Sequence, residues 1–253
     1  MFKKQYACIA LLLAFISPGV IALLVEDAHA IINDYLSSQN LKNGNLIINA
    51  RITELGKQKT TSIRLYVLTP QIGVVEIISD DKSDGNLILF NNDGTWVYKD
   101  GLKMPLKISK SYAVAGQMNL AELLGIDFIS DYNMVTLGKN EAGIDQLDLV
   151  GNKPTLTYQA ASIYIVDGKI KQIDLKSSNQ KVVKTMIIVK YLELFSDRKV
   201  RHVMPVIEII DRLSGNDLRT LYEVESISER KLNPAWFTSQ RLSQFKSFVV
   251  KLK

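Results

Sequence analysis

The carboxylates whose spacing could support acid–base chemistry are Asp127 and Asp131, which flank the tripeptide Phe128-Ile129-Ser130. On a short helix, this spacing places two carboxylates on one side, where one can give a proton and the other accept one. The same residue type also suits turns and helix caps, because an Asp side chain accepts hydrogen bonds from nearby backbone N–H groups. Two interpretations therefore stay open, a catalytic pair and a turn, and the turn is favoured.

Histidine and cysteine, the other residues that commonly carry catalysis or hold metals, are scarce. The chain has two histidines, His29 and His202, which are far apart in sequence, and one cysteine, Cys8. A surface or structural role is favoured for each histidine. The sequence also lacks the glycine-rich loops that bind nucleotide phosphates and the G-x-S-x-G turn of α/β-hydrolases. These observations predict no enzyme, no metal site and no cofactor.

The composition is that of an ordinary globular protein. Of 253 residues, 47% are hydrophobic and 23% are charged, with 14 Gly and 6 Pro, which excludes a disordered, collagen-like or coiled-coil chain. The formal net charge is +5. It falls to +3 (29 Lys and Arg minus 26 Asp and Glu) if residues 1–22, which contain Lys3 and Lys4, are removed. A charge this small argues against a dedicated nucleic-acid-binding protein.

The N-terminus has the organisation of a secretory signal peptide. Lys3 and Lys4 precede the apolar run Ala7–Ile16, and Ser17-Pro18-Gly19 then ends any helix. Small residues precede a cut after Ala22, so we predict a signal peptide over residues 1–22 and a single domain over residues 23–253. Cys8 would be removed with the signal, which leaves no disulfide and no thiolate ligand. Such a chain suits the bacterial periplasm.

Two alternatives to this processing stay open. Ala28-His29-Ala30 also offers small residues for a cut after Ala30. That cut would destroy a helix predicted over Val25–Ser38, where apolar residues recur at helical spacing. The segment Ala7–Val25 also approaches the length of about 20 apolar residues that spans a membrane, so an uncleaved inner-membrane anchor is the second alternative.

Alternation of apolar and polar residues dominates the sequence after residue 44. It predicts half-buried strands, and turn residues that tolerate positive φ separate several of them, at Asn92-Asp93-Gly94, Asp167-Gly168 and Ser214-Gly215-Asn216. About ten strands joined by short turns favour antiparallel pairing. The predicted strands begin with the alternating Leu46, Ile48, Ala50 and Ile52 and continue at Ser62–Leu68, Gly73–Ser79, Leu87–Phe90, Thr95–Tyr98, Asp145–Val150, Leu156–Val166, Lys169–Lys176, Val183–Leu192, Val206–Asp211 and Thr220–Ile227.

Three helical segments interrupt the strands. The first is Val25–Ser38. The second begins at Asn119, because Asn119 and Glu122 have the spacing of a capping box. The third begins at Asn233, where Pro234 supplies the fixed φ of a first helical position. The fold class is therefore mainly β with a few helices (α+β), and no linker divides the chain.

Four segments in this order resemble the outer-membrane lipoprotein-sorting protein family, whose fold is called LolA-like. They are Gly94-Thr95-Trp96-Val97-Tyr98, Gly116-Gln117-Met118-Asn119-Leu120-Ala121-Glu122, Asp127-Phe128-Ile129-Ser130-Asp131-Tyr132 and Leu232-Asn233-Pro234-Ala235-Trp236-Phe237-Thr238. Lys99-Asp100 stands where members often have a proline, and Glu122 where they usually have Asp. The resemblance therefore places the chain in a separate branch.

The resemblance implies a strongly curved antiparallel half-barrel whose helices plug its concave face and whose apolar cavity accepts acyl chains. It implies no catalysis and no cofactor. The partners would be a lipid or acylated lipoprotein and an inner-membrane transporter, of the RND type or another, with the carrier a monomer that binds no nucleic acid. Candidate cavity residues are Leu46, Ile48, Ile52, Leu65, Val67, Val75, Ile77, Trp96 and Tyr98.

Two other functions stay open. The face that points inward is inferred from hydrophobicity alone, so the same residues also fit a filled core. The half-barrel would then be a protein-interaction module that carries no lipid. A hydrolase built around Asp127 and Asp131 is the third hypothesis, with little support from the missing motifs.

Overall fold

A computed structural model describes residues 25–39, 44–78, 86–197, 200–214 and 218–250. The predicted signal peptide, its cleavage after Ala22 and the turn residues Gly215 and Asn216 lie outside these ranges. Within them, no helix combines the length and the apolar character needed to cross a membrane.

Helices and strands follow one another in an order dominated by strands. The helices are α1 (Val25–Gln39), α2 (Leu120–Leu123) and α3 (Phe245–Val249), with 3-10 helices at Pro234–Trp236 and Ser239–Gln244. The strands are β1 (Leu46–Glu54), β2 (Lys59–Thr69), β3 (Ile72–Ile78), β4 (Leu87–Asn91), β5 (Gly94–Tyr98), β6 (Leu106–Lys107), β7 (Ala113–Ala115), β8 (Met118–Asn119), β9 (Tyr132–Lys139), β10 (Asp145–Gly151), β11 (Ala160–Val166), β12 (Lys169–Lys176), β13 (Val182–Phe195), β14 (Arg201–Asp211) and β15 (Arg219–Glu229).

Thirteen of these strands form one antiparallel sheet. Its order is β6-β5-β4-β3-β2-β1-β15-β14-β13-β12-β11-β10-β9, and β7 and β8 form a separate pair. Only β1 and β15 are neighbours in the sheet without being consecutive in sequence. The expectation of about ten strands was too low. It missed β6, β7 and β8, which are too short to show alternation, and β9, in which buried and exposed residues follow no period of two.

The predicted turns and caps are confirmed where the structure describes them. Asn92-Asp93-Gly94 joins β4 to β5, and Asp167 and Gly168, with φ of 50° and 68°, join β11 to β12. Asn119 caps α2 with a complete capping box. Asn233 caps the C-terminal segment, which begins as a 3-10 helix. Local side-chain chemistry therefore determines these positions.

One apolar cluster, here called the inner cluster, runs along one face of the sheet. Strands β1–β5 and β9–β15 all contribute buried side chains to it, and so do α1 and α2. A single cluster shared by strands from both ends of the sheet requires the sheet to curl around it. The fold is therefore mainly antiparallel β, with one large curved sheet and few helices.

The opposite, outer face carries a second apolar cluster along β2–β5, against which Ile47 of β1 also packs. Tyr66 and Leu89 are buried there by the C-terminal segment, whose Phe245 ring lies 5.1 Å from that of Tyr66 and 5.5 Å from that of Phe237. The expectation that all helices plug the concave face was therefore wrong for the C-terminal ones. The four residues Leu87–Phe90 explain this, because all are buried and both faces of β4 need a cover.

Candidate functional site

The nine predicted cavity residues do not share one face of the sheet. Seven of them lie in the inner cluster, and none of the seven is more than 8% exposed: Leu46, Ile48, Ile52, Leu65, Val67, Val75 and Ile77. Trp96 and Tyr98 instead pack against the C-terminal segment on the outer face. Because side chains alternate along a strand, Val97 between them points into the inner cluster. The structure brings seven candidates together and separates two.

Helix α1 covers part of the inner face. Its residues Ala28, Ile32, Tyr35 and Leu36 are buried within the inner cluster. A cavity of about 310 Å³ lies between α1 and strands β12–β14. Tyr191 lines this cavity, and burial, with the charge of Asp34, raises its pKa to about 12. The cavity beside α1 therefore has space for a further group, bordered by Ile31 and Ile170 and by charged side chains such as that of Arg201.

A larger cavity of about 640 Å³ opens where the two edges of the sheet approach each other. We call it the gap cavity. Thr95 and Lys107 line it from the β5–β6 edge, and Tyr132 lines it from β9, the other edge. Its volume is within the range of about 300–1,000 Å³ found for small-molecule sites. Tyr132 and Tyr158 also belong to the inner cluster, so the gap cavity adjoins the inner face.

The apolar lining of the gap cavity comes from residues that sequence reasoning did not select. Ile108, Leu124, Ile126 and Leu156 lie in it. They belong to the connections around β7, β8 and α2 and to the loop between β10 and β11. Leu156 was expected to begin a strand over Leu156–Val166, but that strand begins at Ala160, so Leu156 lies in the loop before it. The one available signal was the capping box, which predicted the turn of helix beside the cavity.

A buried polar network fixes α2 beside the gap cavity. The Glu122 carboxylate, whose side chain is 0% exposed, accepts hydrogen bonds from Asn119 N at 2.6 Å, from Lys184 Nζ at 2.8 Å and from the Tyr158 hydroxyl. Asn119 Nδ2 donates to the same hydroxyl at 2.9 Å. Burial, together with the Glu122 charge, raises the pKa of Tyr158, so the hydroxyl keeps the proton that it donates.

Asp127 and Asp131 both line the gap cavity but have different partners. Asp127 Oδ1 accepts hydrogen bonds from the backbone N–H groups of Ile129 at 3.2 Å and Ser130 at 2.9 Å, which confirms the turn interpretation. Asp131 forms an ion pair with Lys153 at 2.6 Å. Burial, and then the Asp131 charge, raises the pKa of Tyr132 to about 12. Both carboxylates are therefore held by structural contacts.

The histidines do not approach this site. His29 is exposed on α1, and His202, on β14, lines the cavity beside α1. Among the described residues, no group of three or more His, Cys, Asp or Glu side chains is placed to hold a metal ion.

Solved structures share this architecture. No protein-family model matches the sequence, and no curated protein matches it either. A LolA superfamily protein from Nitrosomonas europaea superposes with a TM-score of 0.68 at 16% identity, over 85% of this chain and 99% of that one. This chain has the LolA-like fold.

Two further structures share the LolA-like fold. One is a DUF1329 family protein from Desulfovibrio piger, with a TM-score of 0.62 and 13% identity over 85% of this chain and 98% of that one. The other is described as an outer-membrane lipoprotein-sorting protein domain, from Vibrio parahaemolyticus. Its TM-score is 0.61 at 14% identity, over 83% of this chain and 96% of that one. These likenesses concern the fold.

Proposed function

We propose that this chain is a periplasmic carrier of lipids or of the acyl chains of lipoproteins. Residues 1–22 would be a cleaved export signal, and residues 23–253 a single binding domain. The carrier would receive its cargo from a transporter of the inner membrane and pass it to another membrane of the envelope. It would act by binding, without catalysis. The LolA-like fold, which it shares with a lipoprotein-sorting domain, supports this proposal.

The observation that carries the proposal is the continuity between the apolar inner face and the gap cavity. Leu124 and Leu156 line the gap cavity, and Tyr158 belongs both to the cavity and to the inner cluster. An acyl chain that enters at the gap would therefore meet these apolar side chains among polar ones such as those of Ser109 and Thr157. Burial of apolar surface contributes about 25 cal/mol per Å² removed from water, which is enough to hold a lipid with two or three chains.

The inner face itself is filled, so a long acyl chain must displace something. Ile32 and Leu36 of α1 occupy the space over the sheet by apolar contacts. An acyl chain offers apolar contacts of the same kind, because the hydrophobic effect is non-directional. We therefore place the cargo partly in the gap cavity and partly in the space beside and beneath α1.

Native mass spectrometry with lipid extraction, applied to protein purified from the periplasm, tests the proposal. We expect a lipid or acyl adduct at stoichiometric amount. The Leu124→Trp variant should fill the gap cavity and lower the uptake of labelled lipid at least tenfold, whereas Val150→Trp, at an exposed position of β10, should not. A clean apo mass that stays clean after lipid challenge would contradict the proposal.

A second function, a protein-interaction module that carries no lipid, is favoured by the tight packing of the inner face. Ile52 and Val75 are fully buried, and Ile48 is nearly so. A filled face of this kind needs no ligand. This function would be favoured if the parent protein folds stably but takes up no lipid.

A further inference from the structure

The loop between β5 and β6, together with β6 itself, exposes apolar side chains among lysines. Met104 is 67% exposed and Leu106 is 50% exposed. Residues 99–110, here called the basic rim, contain four lysines, Lys99, Lys103, Lys107 and Lys110, and a single acidic residue, Asp100. Met104 is the most exposed of the large apolar side chains among the described residues. The combination with lysines therefore indicates a surface with a binding role.

The four lysines of the basic rim are not neutralised. Among the ion pairs of the described residues, none joins any of them to a carboxylate. The Lys107 ammonium lies 5.8 Å from the centre of the Trp96 ring, a cation–π contact that leaves its charge intact. The rim therefore presents positive charge to solvent.

The basic rim lies at the mouth of the gap cavity. Lys107 and Lys110 line that cavity. Leu106 pairs with Val97, whose side chain is in the inner cluster, so the exposed Leu106 lies on the inner side of the sheet edge. A surface that binds the rim would therefore face the opening through which cargo would pass.

We propose that the basic rim docks on the surface of a bilayer that contains anionic phospholipids. Lysines near such a surface are attracted to the headgroups, and exposed apolar side chains enter the boundary between the headgroups and the acyl chains. A protein partner fits less well, because specific protein interfaces use large buried patches rich in aromatic residues and poor in lysine. The use of this contact in lipid delivery rests on the proposed function, whereas the docking itself needs no cargo.

Co-sedimentation with vesicles tests the docking. Purified protein is mixed with vesicles of phosphatidylcholine alone or of equal parts phosphatidylcholine and phosphatidylglycerol. We expect clear preference for the anionic vesicles. Because each lysine near the surface contributes about fivefold in binding, Lys99→Glu with Lys103→Glu should weaken it at least tenfold. Met104→Ser with Leu106→Ser should weaken it several-fold.

The matched control reverses two exposed lysines elsewhere, Lys171→Glu with Lys190→Glu on β12 and β13. This variant has the same net charge as the rim variant and should keep most of the anionic binding. The intact mass of each preparation is recorded first, because a retained N-terminal apolar segment would bind vesicles of either composition. Equal binding to both vesicle types, or an equal loss in the control variant, would overturn the inference.

A second measurement separates this inference from the proposed function. Uptake of a fluorescent fatty acid from solution, without vesicles, should be the same in the rim variants as in the parent, because none of the four substituted residues lines the gap cavity. Uptake without preferential docking would overturn the inference alone. Docking without uptake in any variant would overturn the carrier function alone.

Discussion

Two helices cover the inner face of the sheet by different means. Helix α1 has 15 residues and buries Ala28, Ile32, Tyr35 and Leu36, which are apolar or aromatic. Helix α2 has only four residues and combines buried leucines with the buried Glu122. The Glu122 carboxylate receives three hydrogen bonds, one of them from the Lys184 ammonium. Helix α1 is therefore held mainly by burial of apolar side chains, whereas α2 is held largely by hydrogen bonds to Glu122.

The difference indicates which cover can yield to a ligand. Apolar contacts have no required direction, so a lipid chain that replaces them restores most of their free energy. A buried polar network has no such substitute, because each group left without its partner in a low dielectric is strongly destabilising. Under the proposed carrier function, we therefore expect α1 to move when lipid binds and α2 to stay in place.

The largest effect should come from removing the anchor of α2. Glu122→Ala leaves the Asn119 backbone N–H without its acceptor. It also leaves the mostly buried Lys184 ammonium with the neutral Gln117 carbonyl, at 2.6 Å, in place of a carboxylate partner, and should lower the free energy of unfolding by about 3–5 kcal/mol. Urea denaturation measures this. Glu141→Ala, at an exposed turn position, is the control and should change stability by less than about 0.5 kcal/mol. If Glu122→Ala lowered the free energy of unfolding equally little, the buried polar network would not be what holds α2 in place.

A smaller loss should follow from trimming α1. Ile32→Ala removes a fully buried side chain and should cost about 2–3 kcal/mol, near the lower limit for such changes, because the cavity beside α1 lets the helix adjust. The same variant should take up labelled lipid faster. Asn33→Ala, on the exposed side of α1, provides the comparison and should do neither. Slower uptake in Ile32→Ala would show that α1 forms part of the site and does not yield.

The last effect is absent at neutral pH and arises only at alkaline pH, where it reports separately on α1 and on α2. The pKa values of Tyr132, near α2, and Tyr191, near α1, are both raised to about 12 by burial and a neighbouring carboxylate. Since the ordinary value is about 10, each tyrosine contributes stability below about pH 10 that declines by about 1.4 kcal/mol per pH unit until about pH 12. Tyr132→Phe and Tyr191→Phe should each make the decline shallower, as measured by urea midpoints across this range. If the free energy of unfolding declines with pH as steeply in a variant as in the parent, the substituted tyrosine does not cause the decline.

Much of the sheet could be predicted from sequence, because strands such as β1 place Leu46, Ile48, Ala50 and Ile52 inward. Asn49 and Arg51, which lie between them, point to the other face. The turn residues and the Asn119 cap could also be predicted, since their chemistry is local. The outer apolar layer could not, because a run such as Leu87–Phe90 has no alternation and does not say what covers its second face.

The gap cavity could not be predicted from the sequence for another reason. Thr95 and Tyr132 line the same cavity from opposite edges because the whole sheet curls. That curvature accumulates from the twist between neighbouring strands across all thirteen of them. The alternation of apolar and polar residues indicates which face of the sheet a side chain is on. It does not indicate which distant strand that side chain comes close to in the fold. The seven inner residues could therefore be selected, whereas Ile108, Leu124 and Leu156 could not.

The sheet ends at β6 and β9, and free edges of this kind are templates on which further strands can add. The β6 edge is only two residues long. The β9 edge is longer, but the register shift opposite Asp148 and Leu149 makes Val135 an extra residue, and such a bulge twists an edge out of the flat geometry that pairing needs. Lys139 adds a charge at its end. An incompletely closed barrel thus keeps the opening that a cargo would need while resisting polymerisation of one copy onto the next.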